Sequence, residues 1–170
     1  MKKITLSSVT AGTMLAALAL APAKAEAQSA SISATATVAT ALNVNNVRDL
    51  GFGTVIPGFN RTILATDATS GHFQIVGGAN AEVAVSFSSL PGVLTGPGAD
   101  LALSLTANHN VTDAAGVGTG FVPAGGVTTR LDTSTGELHV YMGGTLIVPA
   151  GQVAGLYSGT ITLDAAYTGN

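Results

Sequence analysis

The chain contains no cysteine and no tryptophan, and only 9% of its 170 residues are charged. Without cysteine, disulfide bonds and thiolate chemistry are excluded, so stability must come from packing, backbone hydrogen bonds or contacts with other subunits. Lys, Glu and Gln, which favour helices, are scarce. Gly, Ala, Thr, Ser and Val dominate instead, and this composition favours strands and turns.

The N-terminus is typical of a secretory signal peptide. Lys2 and Lys3 precede an apolar run that ends near Ala21, and Ala23-Lys24-Ala25 or Ala25-Glu26-Ala27 offers a cleavage site. The run is short and interrupted by Ser and Thr, and no later stretch is apolar for long enough to span a bilayer as a helix. The sequence therefore predicts an exported protein that is released or assembled outside the cell, without membrane insertion.

Positive charge is nearly absent from the predicted mature chain. Removing residues 1–25 leaves three basic residues, Arg48, Arg61 and Arg130, against nine acidic ones, and the formal charge moves from −3 to −6. Three scattered arginines cannot follow a phosphate backbone, in which each neutralised phosphate needs its own cation. We therefore exclude nucleic acid as a partner, and anionic bilayer surfaces are disfavoured for the same reason.

Short alternating runs separated by Gly and Pro turns predict one all-β domain, with the strand spacing of a sandwich or a barrel. The candidate strands are Ala30 to Val44, Leu50 to Val55, Thr62 to Thr66, His72 to Val76, Glu82 to Ser88, Leu101 to Thr106, Val127 to Leu131, Glu137 to Tyr141, Thr145 to Val148 and Leu156 to Tyr167. Gly143-Gly144 predicts a tight hairpin between two of them, because glycine accepts positive φ at both turn positions. Residues 108–124 are the least regular stretch, and we expect a loop there.

The apolar residues of the first and last candidate strands each form one row. In the last strand, the odd positions should share a face: Tyr157, Ile161, Leu163, Ala165 and Tyr167. In the first, the row consists of small side chains at even positions: Ala30, Ile32, Ala34, Ala36 and Val38. The predicted organisation is a signal peptide at 1–25, an N-terminal strand segment and connector at 26–49, and a β-sandwich domain at 50–170.

The search for catalytic or metal-binding motifs is negative. His72, His109 and His139 are far apart in the sequence and belong to no known metal-binding spacing. We therefore expect an ordinary packed or surface imidazole at each position, with no metal site and no cofactor. No Gly-x-Ser-x-Gly nucleophile elbow is present. We therefore predict that the protein is not an enzyme and has no catalytic residues. A Ser-His-Asp triad whose members meet only in the folded structure stays an open alternative.

Four acidic residues could contribute oxygen ligands to extracellular calcium: Asp67, Asp100, Asp113 and Asp132. None has the close spacing of a dedicated calcium loop. Isolated acidic residues in polar loops contribute to solubility and stabilise turns more often than they bind calcium. Incidental calcium binding stays open.

Two segments resemble spore-coat-U-like proteins and related chaperone–usher pilins. The run Ala150 to Tyr167 is similar to their final strand, where Gly-x-Tyr is followed by alternating Thr and aliphatic residues and a near-terminal Tyr. Leu50 to Gly58 resembles the Leu-x-Phe-Gly segment that follows their first strand. With Gly143-Gly144-Thr145-Leu146, the whole is similar to an uncharacterised pilin-like family of exported bacterial β proteins, a domain of unknown function. The chain departs from many pilins in lacking their disulfide cysteines.

The resemblance implies an all-β fold, an immunoglobulin-like antiparallel β-sandwich that lacks one strand, which an N-terminal extension from a neighbouring subunit supplies by β-strand addition. The row from Ala30 to Val38 has the pattern of such a donor strand, and an ordinary intramolecular first strand is the alternative. Self-assembly with homologous subunits follows from this hypothesis, and a periplasmic chaperone and an usher are further candidate partners. The predicted function is a structural subunit of a pilus-like fibre or surface coat.

Two other functions stay open. The alternative is a monomeric secreted or surface module that binds a glycan or another ligand, and the third is a hydrolase with an unrecognised site. A binding module should expose an aromatic platform, and Phe59 and Phe121 are the loop-like aromatic residues that would favour it.

Overall fold

The computed structural model describes residues 28–36, 38 and 40–169. The predicted signal peptide at 1–25 lies outside these residues. The predicted all-β antiparallel sandwich is confirmed, and the described residues include no α-helix. The strands are β1 (Asn43–Arg48), β2 (Arg61–Ile63), β3 (Gly71–Val76), β4 (Glu82–Ser89), β5 (Val93–Leu94), β6 (Leu101–Asn110), β7 (Thr119–Phe121), β8 (Val127–Arg130), β9 (Glu137–Leu146) and β10 (Thr162–Tyr167), with a 3₁₀ helix at Pro123–Gly125.

Two antiparallel sheets of unequal size form the domain. The larger has seven strands, with the order β1-β3-β9-β6-β5, and β2 and β7 pair with β9 and β6 respectively. The smaller has three strands in the order β10-β4-β8. The long strands β6 and β9 form the centre of the larger sheet and pair from Leu103↔Leu146 to Asn110↔His139.

The main core lies between the two sheets. Its buried members come from β3, β9 and β6 on one side and from β4 and β10 on the other, together with Leu131 just after β8. Ile75, Val83, Leu138, Val140 and Met142 are all fully buried. Period-2 alternation in these strands places every second side chain inward, so the apolar rows of the sequence become the two inner faces of the sandwich.

A second, smaller cluster fills the other end of the larger sheet. Leu101, Leu103, Leu146 and Val148 form its buried part. None of the hydrophobic residues packed against it belongs to a strand of the smaller sheet. Its partly buried neighbours, which include Phe52, Val55 and Tyr157, come mainly from irregular segments.

The hairpin predicted at Gly143-Gly144 is wrong, because β9 runs without a turn from Glu137 to Leu146. Gly144 pairs with Leu105 of β6 and with Ile63 of β2. A Cβ atom at Gly143 would lie 2.5 Å from the carbonyl oxygen of Ile63 and would also collide with the backbone of the next two residues. The glycine therefore permits a close approach of two backbones, which is the other role of glycine in a strand.

Several predicted strands differ from the observed ones in extent. Residues 50–55 form no strand, although Phe52 and Val55 pack on the second cluster. The last strand starts at Thr162 rather than Leu156, but its predicted inward row does face apolar clusters, since Leu163, Ala165 and Tyr167 pack on the main core. Part of the predicted loop at 108–124 is β-strand. β6 continues to Asn110, and β7 follows the remaining loop at residues 111–118.

The region predicted as an N-terminal strand and connector contains a strand in a different place. Asn43–Arg48 form β1, which pairs with β3 from Asn43↔Val76 to Arg48↔His72. The alternating apolar row Ala30 to Val38, which favoured a strand, lies before β1. The residues of β1 that pair with β3 are mainly polar. None of the described residues belongs to a helix long and apolar enough to cross a membrane.

Candidate functional site

The predicted assembly residues lie outside the sheets. Ala30, Ile32, Ala34 and Ala36 fall in the described segment 28–36, which has no regular secondary structure, and Val38 has none either. Ile32 and Val38 are each 95% exposed.

An open groove reaches the second apolar cluster from outside. It has a volume of about 770 Å³ and lies between the inner face of the larger sheet and residues 155–161. We call it the groove and define it by six of its lining residues: Phe52, Leu101, Leu103, Leu146, Leu156 and Tyr157. Leu156 is 84% exposed at its rim, whereas Leu101 and Leu146 are buried at its floor. One end of the sandwich is thus accessible to an apolar occupant.

A polar cluster lies on the opposite face of the larger sheet. The register of β3 and β9 places His72 beside Tyr141 and Gln74 beside His139. Because side chains alternate across a strand, these residues face away from the core that holds Ile75, Leu138 and Val140. His72 and His139 are nevertheless only 2% and 3% exposed.

The two histidines contact each other directly. Nε2 of His72 lies 3.0 Å from Nδ1 of His139, within hydrogen-bond distance. The imidazole of His72 also stacks on the ring of Tyr141, with 4.4 Å between ring centroids and an interplanar angle of 19°. We call His72, His139 and Asp113 the histidine cluster.

Asp113 reaches the cluster from the loop at residues 111–118. Its Oδ1 lies 3.8 Å from His72 Nε2 and 3.9 Å from His139 Nδ1, and it accepts a hydrogen bond of 2.8 Å from the Tyr141 hydroxyl. The loop is tied to β6 by two side-chain amides, since Asn108 donates to the carbonyl of Ala115 and Asn110 donates to that of Val117. The loop therefore covers the outer face of the sheet where the histidines lie.

Burial and hydrogen bonding shift the pKa values of His72, Asp113 and Tyr141. Burial lowers the pKa of His72 despite the nearby Asp113 carboxylate, so the neutral imidazole is favoured. The hydrogen bond from the Tyr141 hydroxyl lowers the pKa of Asp113, which stays ionised. Burial and the same hydrogen bond raise the pKa of Tyr141, which remains a donor. Neutral imidazole and ionised carboxylate are the forms in which these side chains bind metal ions.

Further polar groups surround the cluster. Nε2 of His139 lies 3.9 Å from Oε2 of Glu137, and the other oxygen of that carboxylate accepts a hydrogen bond of 3.1 Å from Gln74. Arg48 of β1 donates to the backbone carbonyl of Ser70 at 2.6 Å. His109, the third histidine, lies apart from this group and makes an edge contact with Phe121.

The sequence motifs did not reveal this cluster, because its members come from two strands and a loop. The available signal was the alternation itself: His72 and Gln74 alternate with apolar residues in one run, and Glu137, His139 and Tyr141 do so in another. Such alternation predicts a polar face on each strand. It does not predict that the two strands are neighbours.

The aromatic residues that would favour a binding module are separate. Phe59 is 71% exposed. Phe121 belongs to β7, is half-buried and packs near Phe87 and His109. These two residues do not form an exposed aromatic platform.

The fold and the site define an antiparallel β-sandwich protein with an open apolar groove on one face of its larger sheet and a histidine cluster on the other. Residues 42–167 match the family described as "Domain of unknown function (DUF4402)", and the chain belongs to this family. The expected membership of an uncharacterised family is thereby confirmed, and the match carries no link to pilin or spore-coat-U families. No curated protein gives a significant match. The assembly residues Ala30 to Val38 precede the matched region.

Proposed function

We propose that this protein is a structural subunit of an extracellular pilus-like fibre or surface coat, assembled by β-strand addition. The observation that carries the proposal is the groove: an opening of about 770 Å³ that is lined by leucines of the second apolar cluster, on which no strand of the three-stranded sheet packs. Strand addition requires such an incomplete sandwich. The resemblance of the C-terminal run to pilin final strands supports the same function.

The proposed occupant is the segment Ala30 to Val38 of a neighbouring copy. Its apolar side chains recur at every second position, which is the spacing needed to insert one face of a strand into the groove. The exposure of Ile32 and Val38 in the chain that carries them leaves these side chains free to be buried elsewhere. Burying side chains of this size contributes only a few kcal/mol by area, at roughly 25 cal/mol per Å², so slow dissociation must rest on backbone pairing as well.

The edge of β10 away from β4, which pairs with no other strand of the described residues, supplies the backbone partner in this proposal. β10 is an end strand of the three-stranded sheet, and it follows directly on residues 155–161, which line the groove. An end strand presents backbone donors and acceptors that a further strand can pair with. Because the donor comes from another copy, each subunit would complete the next, and an open fibre follows.

The experiment is a comparison of unboiled multimer ladders in denaturing gels. Ile32→Asp should abolish the ladder, because a carboxylate would enter an apolar groove without a partner. Ser33→Asp is its matched control, since the same charge lies on the opposite face of the donor. On the acceptor side, Leu156→Asp should also abolish the ladder, whereas Phe59→Asp, at an exposed apolar residue outside the groove lining, should retain it.

A ladder that persists in both Ile32→Asp and Leu156→Asp would overturn the proposal. A wild-type protein that shows no ladder and melts independently of its concentration would overturn it as well. That second result would favour the monomeric binding module, with the groove as its ligand site.

A further inference from the structure

The histidine cluster brings three metal-ligating atoms together on a face of the sheet that the assembly proposal does not use. Nε2 of His72, Nδ1 of His139 and a carboxylate oxygen of Asp113 all lie within 4.8 Å of one another. We propose that these three atoms bind a divalent transition metal ion of the Zn²⁺ class. The proposal does not depend on fibre formation, and it departs from the expectation that each histidine is an ordinary packed imidazole.

The contact between the two histidines indicates that a lone pair points into the site. At 3.0 Å, His72 Nε2 and His139 Nδ1 can share one proton but cannot each carry one, because two donors would then face each other. At least one ring therefore presents an unprotonated nitrogen to the other. A metal ion in place of the shared proton would satisfy both lone pairs at once.

The distances require only small adjustments for metal binding. With bonds of about 2.0 Å in tetrahedral geometry, ligand atoms are about 3.3 Å apart. The two nitrogens would separate slightly from 3.0 Å, and Asp113 Oδ1 would approach from 3.8 and 3.9 Å. Asp113 is suited to this movement, because its side chain is 69% exposed and lies on a loop.

The donor set selects the class of metal. Two imidazole nitrogens disfavour Ca²⁺ and Mg²⁺, which prefer oxygen ligands. The absence of cysteine removes the soft thiolate ligand that favours Cu(I) and iron–sulfur clusters. Two imidazoles and one carboxylate are a common set for Zn²⁺, which would keep its fourth position for water or another ligand.

The surroundings support the ligands in the way that metal sites require. The Tyr141 hydroxyl donates to the same oxygen, Oδ1 of Asp113, that faces the histidines. Glu137 lies beside the remaining ring nitrogen of His139 and is itself held by Gln74. Hydrogen-bonded partners of this kind orient ligands, and their loss typically weakens metal binding by about 10- to 100-fold.

The test uses the full mature protein stripped of metal with a chelator and titrated with Zn²⁺ by calorimetry. We expect saturable binding of one ion and an increase in melting temperature, because a ligand that binds only the folded state stabilises it. Co²⁺ should bind at the same site and give the visible absorption of a tetrahedral complex. Competition by Zn²⁺ should remove that absorption.

Asp113→Asn is the decisive variant, because the change is nearly isosteric and lies on an exposed loop. It should weaken Zn²⁺ binding by at least about tenfold, since even the loss of a supporting group costs that much. Asp100→Asn is its matched control and should bind Zn²⁺ as the wild type does. Tyr141→Phe should weaken binding less than Asp113→Asn, because it removes only the group that positions the carboxylate.

His139→Gln, compared with His109→Gln, tests the imidazole ligands in the same way. Far-UV circular dichroism confirms that each variant is folded before its binding is measured. Wild-type protein that binds no Zn²⁺ would overturn the proposal. Equal Zn²⁺ affinity and an unchanged Co²⁺ spectrum in Asp113→Asn would overturn it even if the histidine variants failed to fold.

Discussion

The two ends of the sandwich interior differ in what covers them. At the closed end, both sheets contribute inward rows, and Ile75, Val83, Leu138 and Val140 are completely buried. At the open end, the leucines of the larger sheet are buried by irregular segments around Phe52 and Tyr157 rather than by strands of the smaller sheet. The closed end can therefore supply most of the stability of the isolated subunit. The open end keeps an exposed leucine, Leu156, at the rim of the groove, and a further strand can bury it.

The largest expected effect comes from a truncation at the closed end. Leu138→Ala should lower the free energy of unfolding by about 3 kcal/mol or more, because it leaves a cavity between two sheets that cannot close around it. Phe52→Ala at the open end should cost less, about 1–2 kcal/mol, since its ring is only partly buried and its neighbours can adjust. Urea unfolding of monomeric protein measures both. An equal or larger cost at Phe52 would contradict the difference between the two ends.

The second prediction concerns Gly143 of β9, where the backbone of the residues that follow β2 approaches closely. Gly143→Ala should destabilise the subunit by about 1–3 kcal/mol, because the new Cβ would collide with the chain that leaves β2 at Ile63. Gly151→Ala is the matched control, as a Cβ there has no atom within 4 Å. Thermal melting of the two variants compares them directly. A Gly143→Ala protein as stable as the control would mean that β2 and its following residues can move away from β9 at little cost.

The fold was predictable to the extent that it depends on local alternation. Strands such as Gly71–Val76 and Glu82–Ser89 were predicted almost to the residue, because period-2 patterns are local and bounded by turn residues. The hairpin predicted at Gly143-Gly144 is wrong because a glycine pair is typical both of tight turns and of close backbone contacts. Only the position of β2 distinguishes these two roles.

The candidate site was less predictable, since it depends on register and on a loop. His72 and His139 are 67 residues apart, and their contact follows from the pairing of β3 with β9. Asp113 reaches them because residues 111–118 fold back over the sheet, and no sequence pattern specifies that path. The groove was implied only by resemblance, since an incomplete sandwich has the same alternation as a complete one.

A titratable group, His109, lies at the margin of the closed end, and its effect on stability should be smaller than those of the substitutions above. His109 lies on β6 with its ring against Phe121, a residue that packs on the main core, and burial lowers the pKa of His109 below its ordinary value of 6.5. A lowered pKa means that the unfolded chain binds the proton more tightly than the folded one. The contribution of His109 to stability is therefore fully present above pH 6.5 and is lost as the pH falls from there through the lower pKa of the folded state.

Urea midpoints measured at pH 7.5 and pH 5.5 with a chelator present should differ more in the wild type than in His109→Gln, since the other two histidines contribute equally to both proteins. An identical pH dependence in the two proteins would show that the His109 imidazole is hydrated in the folded state, and that the closed end is more open at this margin than its packing indicates.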